Sequence, residues 1–263
     1  MLFPDTNLLP QVRKEKESML NLRKRKVVHS LIKEDIERIL DENTPFAISE
    51  SFRMLHTNVL YLPIEDKCRK IAVTSPISGE GKSYISVNLS ITLANNSHKK
   101  IVLIDMDMRV PRIKKLLRNK LVDPSKTNGL SEYLAGIDEI PNISKTTVEN
   151  FDVLLSGMET SNPTGLINSS RMSALIDYLS QKYDYIIFDT PPINIVTDAL
   201  LILDKVNGYI LSCRANYSNV NVLNGAIESI KSVGGEVFGV VLTEANSKNY
   251  SKSRYRYSKG NYT

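Results

Sequence analysis

The strongest constraint on the fold is a series of short, continuously apolar runs separated by segments with helical spacing. The runs are KIAVTS (70–75), KIVLIDMD (100–107), FDVLLSG (151–157), YDYIIFDTPP (183–192), GYILSC (208–213) and VFGVVLT (237–243). A strand that is apolar throughout has both faces buried, which occurs chiefly in parallel sheets covered by helices on both sides. We therefore predict an α/β fold with a mostly parallel sheet and helices on both faces.

Helices are predicted between these strands from the spacing of their apolar residues. One begins at Phe46, one at Ser83 and one spans Thr164–Lys182. Another amphipathic stretch, 30–42, has Ser30 as its expected cap. Residues 118–150 are the least patterned part and are expected to hold loops and short helices.

Composition is typical of a globular protein without a membrane span. The chain has 263 residues, of which 41% are hydrophobic and 24% are charged. No apolar run approaches the roughly 18–20 residues that cross a bilayer, and the first residues do not resemble a secretory signal. We expect a cytoplasmic protein. The two cysteines, Cys68 and Cys213, lack metal-binding spacing and are expected to be inert.

The segment SGEGKS (78–83) follows the first apolar run and opens a helix, as a phosphate-binding loop does. Gly79 and Gly81 let the main chain approach phosphate oxygens, and Lys82 can reach the outer phosphates. Pro76 stands where the pattern G-x-x-x-x-G-K-[ST] has its first glycine. A glycine turn without a ligand is the alternative. We predict nucleotide contacts from Ser78, Gly79, Glu80, Gly81, Lys82, Ser83 and Tyr84.

Acidic residues end two other strands. Asp105 and Asp107 would share one side if their strand continued, and Asp189 ends the most apolar run. Ligands of such sheets bind beyond the carboxyl ends of the strands. We predict that Ser83, Asp105 and Asp189 hold Mg²⁺. An acidic turn beside Arg109 and an aspartate before a Pro-Pro turn are the alternatives that need no ligand.

These motifs resemble those of the bacterial tyrosine kinases of capsule and exopolysaccharide synthesis, the BY-kinases. TSPISGEGKS is similar to their Walker A motif, LIDMDMRVP to Walker A′, and IIFDTPPINIVTDA to Walker B; SNPTGLINSSRM is similar to a further family stretch. The resemblance runs from about Thr44 to the C-terminus. It implies a P-loop NTPase-like fold, ATP and Mg²⁺ as cofactors, and tyrosine kinase activity in which Lys82, Asp105, Asp107 and Asp189 are catalytic.

Septum-placement and plasmid-partition ATPases share much of this pattern and provide the alternative function. Their signature lysine lies five residues before the catalytic lysine, where this chain has Ile77. A third possibility is an adaptor in which the nucleotide only sets the conformation.

The C-terminal segment 248–263 carries five Lys/Arg and no acid, together with four of the chain's twelve tyrosines. From the sequence alone it could be a basic tail without a partner or a tail that stacks on nucleic acid. The resemblance implies instead that the tail is autophosphorylated, and a nucleic-acid partner is not expected. The predicted phosphate acceptors are Tyr250, Tyr255, Tyr257 and Tyr262.

The resemblance also implies partners. A transmembrane polysaccharide co-polymerase would recruit the kinase to the inner face of the membrane and activate it, and a tyrosine phosphatase would reverse its action. The family motif E-x-x-R-x-x-R joins subunits into a ring. Here Glu50 and Arg53 match it and His56 departs from it, so an ordinary surface ion pair is the alternative. We expect three regions: a charged segment 1–45, a kinase domain 46–247 and the tail 248–263.

Overall fold

The computed structural model describes residues 39–245. The four predicted acceptor tyrosines and most of the predicted helix 30–42 lie outside these residues. Within that helix, residues 39–42 are not helical. Ile39 is nevertheless buried in the core, and the main-chain N–H of Leu40 donates to Asn88 Oδ1 at 2.8 Å.

Seven strands form one sheet. In chain order they are β1 (Arg69–Thr74), β2 (Ile101–Asp105), β3 (Ser144–Lys145), β4 (Phe151–Leu154), β5 (Tyr185–Asp189), β6 (Gly208–Arg214) and β7 (Val237–Thr243). Their order across the sheet is β3-β4-β2-β5-β1-β6-β7, and every pairing is parallel except that of β3 with β4. The predicted mostly parallel sheet is confirmed.

Helices cover the two faces of the sheet. They are α1 (Phe46–Leu60), α2 (Lys82–Ser97), α3 (Ile113–Leu116), α4 (Leu130–Leu134), α5 (Pro163–Ile167), α6 (Ser170–Ser180) and α7 (Val220–Ser232), with a 3₁₀ segment over Thr197–Lys205. Successive strand residues enter opposite cores: Ile71 packs in the core with α1 and α2, whereas Ala72 packs in the core with α6 and α7. This alternation explains why the strands are apolar throughout.

The predicted helix Thr164–Lys182 is two helices. It breaks at Asn168 and Ser169, and Ser169 has extended main-chain angles while its hydroxyl donates to the carbonyl of Leu166 at 2.7 Å. Asn and Ser side chains compete with helical hydrogen bonding in this way, so they favour helix ends over helix interiors.

The second strand is also shorter than predicted, because it ends at Asp105 and leaves Asp107 in the following turn. The carboxylate of Asp105 accepts the main-chain N–H groups of Asp107 and Ile113, both at 3.3 Å. These local bonds replace a continuing strand ladder. The condition under which Asp105 and Asp107 would share a side, a continuing strand, is therefore not met.

None of the helices within residues 39–245 is long and apolar enough to cross a membrane.

Candidate active site

The predicted phosphate loop links the end of β1 to the start of α2. Gly79 and Gly81 have φ angles of 85° and 84°, in the left-handed region that favours glycine. Ser78 and Gly79 are exposed, whereas Lys82 and Ser83 are buried at the start of the helix. The first main-chain N–H groups of such a helix lack helical partners and attract anions.

Lys82 lies in the middle of a buried group of carboxylates. Its Nζ is 2.8 Å from Asp107 Oδ2 and 3.9 Å from Asp189 Oδ2, and the side chains of all three residues are at most 10% exposed. Burial lowers the pKa of Lys82, but the charges of Asp189 and Asp107 raise it above its ordinary value. Lys82 is therefore held as a cation.

Asp105 and Asp189 are directly paired residues on neighbouring strands, β2 and β5, and both are fully buried. Burial and the charge of Asp189 raise the pKa of Asp105 well above its usual range. Burial also raises the pKa of Asp189, although Lys82 and hydrogen bonds from Ser83 and Ser86 oppose the shift. One lysine thus faces three carboxyl groups, and this arrangement favours an additional cation.

Ser83 connects the helix to the Walker B aspartate. Its Oγ donates to Asp189 Oδ2 at 2.6 Å, and Ser86 Oγ donates to Asp189 Oδ1 at 3.0 Å. Within residues 39–245, no three His, Cys, Asp or Glu side chains form a complete metal site. This does not conflict with Mg²⁺, which is usually held by one or two carboxylates, water and phosphate oxygens. A hydroxyl and a carboxylate in contact, with excess negative charge nearby, fit that ion.

Two predicted nucleotide contacts lead away from this group. The Tyr84 ring packs edge-on against Phe52 of α1, with ring centres 5.6 Å apart. The Glu80 side chain is buried towards the ends of β6 and β7, where Ser218 Oγ donates to it.

Sequence reasoning missed three residues near the site. Ser86 lies three residues after Ser83, and this helical spacing could have revealed it. Asp198 is buried and binds Arg109 Nε at 2.9 Å, while Thr164 Oγ1 donates to the same carboxylate at 3.0 Å. The quoted stretches SNPTGLINSSRM and IIFDTPPINIVTDA contain Thr164 and Asp198, but no local spacing reveals this contact, because Asp198 lies 89 residues from Arg109 along the chain.

The residues of the predicted ring motif lie on α1. Glu50 and Arg53 form an exposed ion pair one helical turn apart. His56 is half-buried, and its Nε2 is buried without a hydrogen-bond partner in the described part of the chain. Burial lowers the pKa of His56, so it does not reproduce the permanent charge of the arginine found in the motif.

Comparison with known proteins supports the resemblance to the bacterial tyrosine kinases. A family model described as an AAA domain matches residues 68–236. The chain is 33% identical over 211 residues to the putative tyrosine-protein kinase CapB of Staphylococcus aureus, covering 80% of this chain and 90% of CapB. It is 35% identical over 180 residues to the tyrosine-protein kinase CpsD of Streptococcus pneumoniae serotype 4, covering 68% and 77%.

Solved structures show the same relationship. The chimerical protein CapA2B2 superimposes with a TM-score of 0.69 at 32% identity, covering 76% of this chain and 86% of that one. The kinase domain of the Escherichia coli tyrosine kinase ETK gives 0.68 at 28% identity, covering 80% and 85%. The septum site-determining protein MinD of Pyrococcus horikoshii, with Mg-ADP, gives 0.56 at 24% identity, which supports the shared fold alone.

The family model matches more than half of the chain, and relatives named tyrosine-protein kinases match it over more than two thirds of its length. The Walker motifs quoted from the sequence meet at the strand ends, as this relationship requires. The chain belongs to the bacterial tyrosine kinases, the BY-kinases, and is a protein-tyrosine kinase.

Proposed function

We propose that this kinase transfers the γ-phosphoryl group of ATP to the tail tyrosines Tyr250, Tyr255, Tyr257 and Tyr262 of a second copy of the chain. The observation that carries the proposal is the buried group of Lys82, Asp107, Asp189 and Ser83 at the strand ends. This group supplies a cation for the transferred phosphoryl and an oxygen pair suited to Mg²⁺.

In the proposed mechanism, Lys82 and the amides of residues 79–83 bind the phosphates and neutralise charge that develops during transfer. Ser83 and Asp189, with Asp105 beside them, would hold Mg²⁺, which supplies further positive charge to the phosphate oxygens. A tyrosine hydroxyl with a pKa near 10 needs positioning more than it needs a strong base. Asp107 is 5% exposed and Asp105 fully buried, so Asp107 is better placed to orient an entering hydroxyl.

Binding ATP requires that the contact between Lys82 and Asp107 rearrange. Both groups are almost fully buried and 2.8 Å apart, so each satisfies the other. A phosphate would compete for Lys82 and release Asp107 to meet the acceptor hydroxyl. This exchange would couple nucleotide binding to the readiness of the acceptor site.

The proposal extends to assembly and partners. Subunits would form a ring through α1, and a membrane co-polymerase would recruit the kinase to the inner face of the membrane and activate it. A tyrosine phosphatase would reset the tail. The exposed ion pair of Glu50 and Arg53 is available for an intersubunit contact, while His56 would weaken it relative to an arginine.

A mixing experiment tests the central proposal. The variant with all four tail tyrosines changed to Phe keeps the site, whereas Lys82→Met keeps the tail but loses the catalytic cation. After the two are incubated together with Mg-ATP, phosphopeptide mass spectrometry should find label on the tail of the Lys82→Met protein. No label on that partner would refute transfer between subunits. Release of free phosphate by wild type without phosphotyrosine would favour the partition-type ATPase, and nucleotide binding without turnover would favour the adaptor.

The same samples test a charge switch. Each phosphate adds about −1.5 to −2 charges, so several would make a tail with five Lys/Arg net negative. We expect the assembly measured by light scattering to become smaller as the tail is labelled. Label without a change in size would remove the switch and leave the kinase proposal intact.

A further inference from the structure

Glu80 is buried, although its neighbours at 78, 79 and 81 are accessible. Ser78 and Gly79 are exposed and Gly81 is partly exposed, whereas Glu80 is 0% exposed. Its side chain points away from the helix start and towards the ends of β6 and β7. The Glu80 side chain therefore links the phosphate loop to the ends of β6 and β7.

Three hydroxyl groups converge on Glu80. Ser212 of β6 and Thr243 of β7 both donate to its main-chain carbonyl, the latter at 3.1 Å. Ser218, in the turn after β6, donates to Oε1 of its carboxylate. These donors lie more than 130 residues further along the chain. The loop is therefore held by β6, β7 and the turn after β6, none of which carries Lys82, Asp107 or Asp189.

The turn after β6 also contacts the loop's glycines. The Tyr217 hydroxyl lies 3.2 Å from where a Cβ on Gly79 would be, and a methyl carbon of Thr243 lies 3.3 Å from the corresponding position on Gly81. Arg214 lies over the Tyr217 ring at 5.3 Å and forms an ion pair with Glu244, 2.6 Å away. The outer side of the loop therefore rests against an ordered surface.

The buried Glu80 carboxylate is only partly compensated by its donors. Its Oε2 is buried and has no hydrogen-bond partner within residues 39–245. Burial raises the pKa of Glu80, and the hydrogen bond from Ser218 and the nearby amides of Ile77 and Arg214 only partly oppose this. A buried polar atom without a partner destabilises the fold. The contacts of this acid instead join the loop to the turn after β6.

We propose that Glu80 and Ser218 are a positioning pair that presets the shape of the phosphate loop, so that the turn at 214–218 controls affinity for the nucleotide. In this role Glu80 acts through the loop rather than by touching the phosphates. Loss of the Ser218 hydroxyl removes the side-chain donor to the carboxylate and lets the loop adopt shapes that do not bind phosphate. Apparent affinity falls in proportion to the fraction of molecules that keep the competent shape.

This inference rests on the proposed binding of ATP at the loop and makes a distinct prediction about kinetics. Lys82, Asp107 and Asp189 have no contact with Ser218, so the chemistry of a bound nucleotide is unchanged. Ser218→Ala should therefore raise KM for ATP and leave kcat at saturating ATP near wild type. A substitution that merely damaged the fold would lower kcat as well, because it would reduce the amount of active enzyme.

The test uses the full chain and a fluorescent ATP analogue with Mg²⁺, titrated to equilibrium, together with KM and kcat. Ser218→Ala and Glu80→Ala should each weaken nucleotide binding by about 3- to 10-fold, the effect of losing a hydrogen bond of roughly 1 kcal/mol. Ser218→Thr restores a hydroxyl and should bind like wild type. Ser229→Ala is the matched control, since it removes a hydroxyl that bonds only within α7, to the carbonyl of Gly225 at 2.8 Å.

A double mutant separates positioning from a general loss of stability. If Glu80 and Ser218 act through one contact, Glu80→Ala combined with Ser218→Ala should bind no more weakly than either single variant. Additive losses, or normal nucleotide binding by Ser218→Ala, would overturn the inference. The proposed function would still stand as long as the wild-type protein binds the analogue. Failure of wild type itself to bind the analogue would overturn both. Circular dichroism verifies folding, and Ser218→Thr keeps the test decisive should an alanine variant unfold.

Discussion

One lysine–aspartate pair lies at the carboxyl ends of the strands, called here the carboxyl edge, and another lies at their amino ends, the amino edge. Only the first pair leaves negative charge uncompensated. At the carboxyl edge, Lys82 and Asp107 are 2.8 Å apart and their side chains are 10% and 7% exposed. At the amino edge, Lys145 and Asp152 are 2.6 Å apart, and the lysine is 72% exposed. Separation alone does not distinguish the two pairs.

Their surroundings do distinguish them. Asp152 also accepts a hydrogen bond from the Tyr183 hydroxyl at 2.7 Å, so one acid has two donors. Lys82, by contrast, interacts as a single cation with the three carboxyl groups of Asp107, Asp189 and Asp105. The amino-edge acid therefore has donors enough, whereas the carboxyl-edge group has excess negative charge, which suits the Mg²⁺ proposed to bind there. Charge balance under burial, more than the presence of an ion pair, distinguishes the edge that is proposed to be catalytic.

The largest expected effect comes from replacing the lysine at the carboxyl edge, with replacement of the amino-edge lysine as the matched control. Lys82→Met should reduce tyrosine phosphorylation by on the order of 10²-fold or more, because it removes a charge aimed at the transferred phosphoryl. Lys145→Met removes a lysine of equal length from the other edge and should leave the rate within about twofold. Phosphotyrosine and circular dichroism are measured on the same samples. Near-normal activity in a folded Lys82→Met protein would remove the catalytic assignment.

The aspartates provide the next test. Asp105→Ala and Asp189→Ala should each lower activity at saturating Mg²⁺ by at least about tenfold, since both carboxylates adjoin the proposed metal and phosphates. Asp152→Ala should stay close to wild type. All three variants are compared in one kinase assay at several Mg²⁺ concentrations. Equal losses at both edges would show that position at a strand end does not discriminate.

A pH experiment examines the uncompensated charge without the ligand. The pKa of Asp105 is raised, chiefly by burial and Asp189, so the folded chain binds more protons than the unfolded chain. The free energy of unfolding therefore falls as the pH rises from the unfolded pKa through the folded one. Asp105→Asn removes this penalty and should stabilise the protein by roughly 0.5–2 kcal/mol at pH 8. The gain should shrink towards pH 4 to 5.

Thermal melts of wild type and Asp105→Asn across this pH range measure how the stability difference depends on pH. Asp152→Asn is the matched control, and it should not stabilise the protein at any pH because it weakens a satisfied contact. A stabilisation that is the same at pH 5 and pH 8 would mean that packing, rather than charge, limits stability at the carboxyl edge.

The strands and the catalytic residues could be predicted because both leave local patterns. Burial on two faces makes β1, β2 and β5 apolar throughout, and parallel strands bring their carboxyl ends together. Ser83, Asp105 and Asp189 could therefore be placed in one group from the sequence. The catalytic role of Asp107, by contrast, was expected only from the family resemblance, because the strand ends at Asp105. The first loop position, Pro76, does not prevent this, since the left-handed turns lie at Gly79 and Gly81.

Contacts between distant parts of the chain could not be predicted in this way. The bond of Glu80 with Ser218 spans 138 residues, and that of Arg109 with Asp198 spans 89. Neither partner stands in a periodic pattern that points to the other. The break at Ser169 was missed for a different reason, since apolar spacing continues across it and a single side-chain bond decides the geometry.

The smallest expected effect concerns stability at the amino edge. Lys145→Met breaks a pair in which the lysine is mostly exposed, so it should cost only about 0.2–1 kcal/mol. For a domain of this size that is a decrease in Tm of at most about 4 °C, and added salt should reduce the difference because it screens the wild-type pair. Tyr183→Phe leaves the same carboxylate without its neutral donor in a less exposed place, and it should cost more, about 1–3 kcal/mol. Thermal melts at low and high salt compare the two variants. If Lys145→Met proved more damaging than Tyr183→Phe, the amino-edge aspartate would depend on its lysine as strongly as the catalytic group does, and the contrast between the two edges would have to be drawn from catalysis alone.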